Sequence, residues 1–72
     1  MLQKLNKESI LAIKDGESLY LNLGEESGAE IWLKNDRYFL FEIPLYGGMP
    51  RFYNCYTLRD VDSIINAIQS WT

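Results

Sequence analysis

The side chains best suited to chemistry in this sequence are carboxylates, and their surroundings argue against catalysis. Glu25 and Glu26 stand in the segment "GEESG", whose glycines and serine predict an exposed loop. A carboxyl group that works as an acid or base near neutral pH usually needs burial to raise its pKa. Because a solvated loop provides no burial, we expect this pair to form a charged contact surface for a partner.

The other reactive groups do not combine into a catalytic or metal-binding set. The sequence contains no histidine and a single cysteine, Cys55. No imidazole is present to activate that thiol, and one cysteine cannot supply the ligands of a structural zinc site. The segment "DVDS" from Asp60 matches a calcium loop only in its first two acids. We therefore predict no enzyme activity, no metal and no cofactor, with Cys55 serving as a small apolar strand residue.

The composition is that of a small folded domain. With 72 residues, of which 47% are hydrophobic and 24% charged, the chain is expected to form one domain over residues 1–72. The start of the chain lacks the features of a signal peptide, and no segment reaches the ~18 apolar residues of a membrane span. A single cysteine allows no intramolecular disulfide. These features predict a cytoplasmic protein that does not bind membranes.

The charge is negative and unevenly distributed. The net charge is −3, and six of the ten acidic residues lie between Asp15 and Asp36, where Lys34 is the only basic residue. Such a chain repels polyanions at long range, which disfavours general nucleic-acid binding. The acidic range is either an ordinary solvated surface or a surface complementary to a basic partner.

A helix is predicted at the C-terminus, over about residues 58–71, from apolar residues at helical spacing. These residues are Val61, Ile64, Ile65, Ile68 and Trp71. The preceding "TLRD" fits a capping box, in which Thr57 and Asp60 each accept a hydrogen bond from the other's backbone amide. Tyr56 and Val61 would then form a hydrophobic staple.

The N-terminal segment "NKESILAIKDG" allows two structures. A short helix would have Asn6 as its N-cap and Gly16 as its left-handed stop. A hairpin would instead turn at Asp15-Gly16, a dipeptide suited to tight turns. We favour the helix, because the apolar residues within 10–13 do not alternate with polar ones.

Between these segments, alternation with a period of two predicts strands with one buried face. The residues expected on that face are Leu19, Leu21, Leu23, Ala29, Ile31, Leu33, Phe39, Phe41 and Ile43. Asn35-Asp36 is expected to form a two-residue turn. In the fourth strand, "RFYNCY", alternation does not settle the buried face; the staple would place Phe52 and Tyr56 toward the helix and Tyr53 away from it.

These elements predict an α+β fold: a four-stranded antiparallel meander with an N-terminal and a C-terminal helix on one face, in the order α-β-β-β-β-α. The helix-free face would then carry an apolar patch of the kind that marks contact sites. Its predicted members are Tyr20, Trp32, Tyr38, Leu40 and Tyr53. The alternative is cross-strand aromatic pairing that only stiffens the sheet.

The segment "PLYGGMP" predicts a long hairpin loop between the third and fourth strands. Pro44 and Pro50 cannot donate ladder hydrogen bonds, so strand pairing should stop near both. The loop would present Tyr46 and Met49, either folded back over the sheet or available to a partner.

These features predict a small acidic, non-catalytic protein-binding module that docks on a larger partner through the aromatic face and the hairpin loop. Its layout and charge resemble those of some phage-encoded anti-CRISPR proteins, which are short, acidic and built from helices around a small antiparallel sheet. The resemblance involves no shared motif. It implies an inhibitor of a nucleic-acid-handling protein that presents carboxylates to a basic groove. Two alternatives are binding of single-stranded nucleic acid on the aromatic face and homodimerisation through that face.

Overall fold

The architecture combines two short helices with one antiparallel sheet. A computed structural model describes residues 5–23, 27–44 and 48–71. Its elements are α1 (Lys7–Leu11), β1 (Ser18–Asn22), β2 (Ser27–Lys34), β3 (Arg37–Pro44), β4 (Arg51–Thr57) and α2 (Val61–Gln69). The strands are antiparallel and lie in the order β1-β2-β3-β4, so each pairs with its neighbour in sequence. The predicted α+β meander is confirmed.

The N-terminal segment forms a helix, as favoured over the hairpin. Asn6 is the N-cap, and its side-chain oxygen accepts a hydrogen bond from the Ser9 amide at 2.8 Å. The helix ends at Leu11, earlier than predicted. Gly16 does have a left-handed φ of +86°, but it lies beyond the helix, and its amide donates to the Leu33 carbonyl at 2.7 Å. Gly16 therefore turns the chain into the sheet instead of ending α1.

The C-terminal helix has the predicted apolar stripe but a later start. Val61, Ile64 and Ile68 are buried, which confirms the face that was predicted to pack on the sheet. The predicted capping box is wrong. Thr57 is the last residue of β4, its carbonyl accepts from the Asp60 amide at 3.1 Å, and its hydroxyl donates to the Asp60 carboxylate at 3.1 Å. These bonds form a tight turn, and the helix begins at Val61 with Asp60 as its N-cap.

The turn between β2 and β3 is confirmed. Asn35 and Asp36 have φ values of 53° and 60°, the left-handed torsions that a two-residue hairpin turn requires. The Asp15 carboxylate accepts a hydrogen bond from the Asn35 amide at 2.8 Å. This contact joins the turn to the segment that precedes β1.

One face of the sheet, here called the core face, is covered by both helices. Directly opposed residues in a sheet lie on the same face, and the register pairs Leu21 with Ala29 and Ile31 with Leu40. These four side chains are fully buried. The buried cluster consists of Ile10, Ile13, Leu21, Ala29, Ile31, Tyr38, Leu40, Val61, Ile64 and Ile68.

The predicted orientation of β3 is wrong. Tyr38 and Leu40 were expected on the helix-free face, yet Tyr38 is 2% exposed and Leu40 is fully buried. The turn at Asn35-Asp36 pairs Lys34 with Arg37, which places Leu33 opposite Tyr38. This register brings Tyr38 and Leu40 under the helices and turns the alternate residues Phe39, Phe41 and Ile43 away from them.

The fourth strand contains a bulge, and the predicted orientation of its side chains holds on only one side of that bulge. Asn54 pairs with Leu40, but the next pair along β3 joins Phe41 to Phe52, so Tyr53 is an extra residue. Tyr56 packs against the buried cluster, as predicted. Phe52, however, faces away from the helices. The ring of Tyr53 lies on the helix side, with its centroid 4.9 Å from that of Trp71.

Candidate functional site: the outer face of the sheet

The face of the sheet opposite both helices is here called the outer face, and the register arranges its residues in rows across the strands. Starting from the Asn35-Asp36 turn, the rows are Lys34, Arg37 and Thr57; Ser18, Trp32, Phe39 and Cys55; Tyr20, Glu30, Phe41 and Phe52; and Asn22, Gly28 and Ile43. Since side chains alternate across a strand, these residues share one surface. Its two central rows are rich in aromatic rings.

A shallow groove runs along the two central strands. It is lined by Trp32, Lys34, Phe39 and Phe41 and has a volume of about 200 Å³. Trp32 lies opposite Phe39, and Lys34 follows Trp32 on the same face of β2. The groove therefore has aromatic walls and a cationic end. This arrangement suits an apolar group that carries a negative charge close to it.

The indole of Trp32 is held by a neighbour on its own strand. Its Nε1 donates a hydrogen bond to the Glu30 carboxylate at 2.6 Å, and 40% of the tryptophan remains exposed. Residues two apart on a strand lie on the same face, which allows this contact. Glu30 thereby orients the ring, and its carboxylate keeps its negative charge, because the indole N–H is a neutral donor.

The aromatic surface continues to the edge strand β4. The rings of Phe41 and Phe52 meet edge to face, with centroids 5.7 Å apart and an interplanar angle of 68°. Phe52 is nevertheless 57% exposed. The ring contact therefore fixes the orientation of Phe52 without removing it from solvent.

On the other edge, Tyr20 lies across Gly28 of the neighbouring strand. A Cβ atom at Gly28 would be 2.9 Å from the Tyr20 hydroxyl oxygen and 3.2 Å from the Leu21 carbonyl oxygen. The glycine thus leaves space for the tyrosine ring, which is still 42% exposed. With Tyr20, the outer face carries at least one aromatic residue on each of the four strands.

The charges of the outer face differ in sign from the charge of the whole chain. Lys34 and Arg37 are exposed and lie directly opposite each other. Within the described residues, neither forms an ion pair; the two ion pairs there join Lys7 to Asp62 at 3.6 Å and Arg51 to Glu42 at 3.2 Å. Two exposed cations therefore lie side by side at this end of the outer face, next to the acidic residues Asp36 of the turn and Asp15, which binds the Asn35 amide.

Of the predicted contact residues, two lie on the outer face as expected. Tyr20 and Trp32 are there and are partly exposed. Tyr38 and Leu40 belong to the core instead, because the β2–β3 turn sets the opposite orientation of β3. Tyr53 is 49% exposed but faces the helix side, owing to the bulge.

The loop and acidic residues of the prediction give less information. Met49 is 83% exposed and is available for contact. Tyr46, Glu25 and Glu26 lie outside the described residues. Gly48 is close to Pro44, because a Cβ atom at Gly48 would be 2.4 Å from the proline Cγ atom.

Three aromatic residues of the outer face were missed by the sequence reasoning: Phe39, Phe41 and Phe52. The positions of the first two could have been inferred from the predicted turn at Asn35-Asp36, because the turn sets the register of β2 and β3. Counting outward from that turn pairs Leu33 with Tyr38 and Trp32 with Phe39, which places Phe39 beside the tryptophan. Phe52 had no such signal, since its face depends on a bulge that alternation cannot reveal.

Two tyrosines on the helix side have shifted pKa values. Burial raises the pKa of Tyr38, whose hydroxyl donates to the Ile10 carbonyl at 3.4 Å. Burial is also the main cause that raises the pKa of Tyr56. Charge interaction with Tyr53 adds to this increase, and a hydrogen bond with Asn54 opposes it. In both cases the folded state favours the neutral phenol.

The described residues contain no cluster of three or more histidine, cysteine or acidic side chains placed to hold a metal ion. Cys55 is a free, half-buried thiol on the outer face beside Phe39. No helix in the described ranges is long and apolar enough to cross a membrane.

Comparisons of this chain with protein-family models, with curated proteins and with solved structures found no match. The site is therefore interpreted from its own geometry. It combines half-exposed aromatic rings, an apolar groove and two unpaired cations. The rings and the groove can contact an apolar group of a ligand, and the cations can attract a negative charge.

Proposed function

We propose that this protein is a small non-catalytic binding module that acts in the cytoplasm and docks on a larger protein through its outer face. The observation that carries the proposal is the set of outer-face rings Tyr20, Trp32 and Phe52, which retain 40–57% exposure, together with the groove that Trp32 lines. Contiguous apolar patches on a soluble surface mark contact sites, and tyrosine and tryptophan are enriched in binding hot spots.

Cross-strand stiffening accounts for only part of this surface. The edge-to-face pair of Phe41 and Phe52 and the packing of Tyr20 over Gly28 do order the sheet. They leave the ring surfaces facing solvent, however, and they leave a groove between the central strands. A partner that covers these rings would gain roughly 25 cal/mol for each Å² of apolar surface removed from water.

A more specific version of this proposal, in which the protein inhibits a nucleic-acid-handling protein through its carboxylates, has weaker support than docking through the aromatic rings. It places carboxylates in a basic groove of a nucleic-acid-handling protein, but Glu25 and Glu26 lie outside the described residues. Among the described residues of the outer face, the single carboxylate, that of Glu30, is bonded to Trp32, whereas Lys34 and Arg37 supply two positive charges. An inhibitory role would therefore use aromatic contacts first and acidic contacts second.

The experiment compares partner capture by outer-face and control variants. Replacing Trp32 and Phe41 with threonine removes the groove walls while retaining a β-branched residue in each strand. The control is Leu58→Thr, which removes an apolar side chain of similar exposure, 43%, from the turn before α2. Matching circular dichroism spectra would show that all three chains are folded.

Proteins captured by the wild type and the control, but lost by the outer-face variant and cross-linked at a photoreactive group placed at Phe52, support the proposal. Equal capture by all three chains would refute it. Loss of a wild-type dimer in sedimentation, with no other protein cross-linked, would assign the face to self-association instead.

A second candidate is binding of single-stranded nucleic acid, favoured by the position of Lys34 and Arg37 next to exposed rings. A labelled oligothymidine titrated at low and high salt tests it. Binding at low salt that weakens with added salt would support this candidate. No binding at low salt eliminates it.

A further inference from the structure

We propose that the partner segment bound by the outer face is an extended peptide with an apolar side chain and a carboxylate two residues apart. This inference rests on the proposed function and names the chemistry of its partner. The apolar side chain would fill the groove, and the carboxylate would lie between Lys34 and Arg37. The partner's contact segment is thus acidic, opposite in sign to what the net charge of the chain suggests.

The two cations have an unfavourable arrangement in the free protein. Lys34 and Arg37 are directly cross-strand on one face, and like charges in that position repel. Within the described residues neither cation is paired with a carboxylate: Glu30 accepts from the Trp32 indole, Asp15 accepts from the Asn35 amide, and Asp36 lies in the turn itself. A carboxylate from a partner would offset the repulsion, and the arginine can bind it through two parallel hydrogen bonds.

The spacing in the proposed motif follows from the pleat of the sheet. The groove row of Trp32 and Phe39 is two residues from the row of Lys34 and Arg37, or about 6.6 Å at ~3.3 Å per residue. An extended peptide lying along the strands has the same rise, so its side chains two residues apart reach the two rows together. Adjacent side chains would point to opposite sides, and one of them would miss the sheet.

The groove suits one side chain of a peptide better than a whole small molecule. Its volume of about 200 Å³ is below the roughly 300–1,000 Å³ of typical small-molecule pockets. The wall of Trp32 is fixed by its bond to Glu30, so the groove exists before binding. A preformed groove lowers the entropy cost of binding a single apolar group.

Charge also favours a peptide over nucleic acid at this face. A single strand carries one phosphate per nucleotide, and each neutralised phosphate adds about 0.7 to the logarithmic salt slope. Two cations would neutralise at most two phosphates, while the net charge of −3 repels the remainder of the strand. The two cations are sufficient to neutralise the single carboxylate of the proposed peptide.

The test uses three short peptides with blocked ends in a serine background. The first has leucine and glutamate two residues apart, the second has them adjacent, and the third has glutamine in place of the spaced glutamate. Binding is followed by NMR through the indole N–H of Trp32 and the backbone amides of β2 and β3. We expect the first peptide to bind at least threefold more tightly than the other two.

A charge-matched pair of variants locates the carboxylate. Combining Lys34→Gln with Arg37→Gln should reduce the affinity for the first peptide about fivefold and leave the glutamine peptide unaffected. The control combines Lys14→Gln with Arg59→Gln, which changes the net charge by the same amount at positions outside the outer face. This control should still bind the first peptide more tightly than the other two. Equal affinities for the spaced and adjacent peptides, or no binding by any peptide, would overturn the inference.

The outcomes separate this inference from the proposed function. If the peptides show no preference but the Trp32 and Phe41 variant still loses a cross-linked partner, the face is a docking site and the proposed motif is wrong. If a thymidine hexanucleotide binds more tightly than the first peptide and loses affinity in the Lys34 and Arg37 variant, the site takes nucleic acid and the inference is overturned.

Discussion

The two faces of the sheet use apolar residues of different shape, and the difference separates folding from binding. The core face presents the aliphatic side chains of Leu21, Ala29, Ile31 and Leu40, which are fully buried under the helices. The outer face presents rings that stay partly in solvent. Aliphatic side chains interdigitate with the isoleucines of α2, whereas flat rings suit a surface that another molecule covers. Tyr38 joins the core because its hydroxyl reaches the Ile10 carbonyl.

The largest expected effect tests whether the two faces differ in stability. Leu40→Ala removes a fully buried side chain and should lower the free energy of unfolding by about 2–5 kcal/mol. Phe52→Ala removes a larger side chain from the outer face and should cost only about 1 kcal/mol, the scale of its ring contact with Phe41. Urea denaturation of both variants measures the difference. Similar losses would mean that the outer face is part of the core.

A smaller effect concerns Tyr38, whose phenol belongs to the buried cluster. Tyr38→Phe should lower the free energy of unfolding by about 1 kcal/mol or less, since it removes one long hydrogen bond to Ile10. Because burial raises the pKa of Tyr38, the folded state retains its proton at pH values where the unfolded chain loses it. That contribution to stability is complete below about pH 10 and is lost as pH rises through the folded pKa.

Urea unfolding midpoints measured between pH 8 and pH 11 test this dependence. The wild type should lose stability more steeply with rising pH than Tyr38→Phe, and Tyr56, whose pKa is also raised mainly by burial, should account for part of the remaining slope. Tyr20→Phe, which removes the hydroxyl of a partly exposed tyrosine on the outer face, serves as the control. Identical slopes for the wild type and Tyr38→Phe would contradict the prediction.

The smallest effect concerns the charged end of the outer face. Lys34→Gln should raise the free energy of unfolding by about 0.3 kcal/mol, because it removes the repulsion from Arg37 on the opposite strand. Arg37→Gln should act similarly, and the two gains should not add, since either change removes the same interaction. Chemical denaturation of both single variants and the double variant gives the coupling. Additive gains would show that the cations do not interact.

Local signals in the sequence predicted most elements of the fold. Asn6 marked the start of α1, Asn35-Asp36 marked the turn between β2 and β3, and the apolar spacing of residues 61–68 marked the buried face of α2. Each of these features depends on a few neighbouring residues. The capping box at Thr57 failed because the same two side chains can also close a tight turn, which they do here.

The candidate site was predicted only in part, because its composition depends on the faces of β3 and β4. β3 carries apolar residues at both phases of its alternation, so hydrophobicity alone does not distinguish Tyr38 and Leu40 from Phe39 and Phe41. Trp32 and Tyr20 were placed correctly. In their strands, the aliphatic residues all lie on one face, so the residues between them must lie on the other face. Phe52 required knowledge of the bulge, a feature of strand pairing and not of the strand's own sequence.

The sequence by itself determined the number, order and type of the elements, since capping, turn chemistry and periodicity act within short segments. Only the tertiary structure decided which apolar residues became core and which became surface. That choice depends on register, because moving a strand by one residue turns every side chain to the other face. The helices bury a single face of the sheet, and hydrogen bonding across the strands decides which residues that face contains.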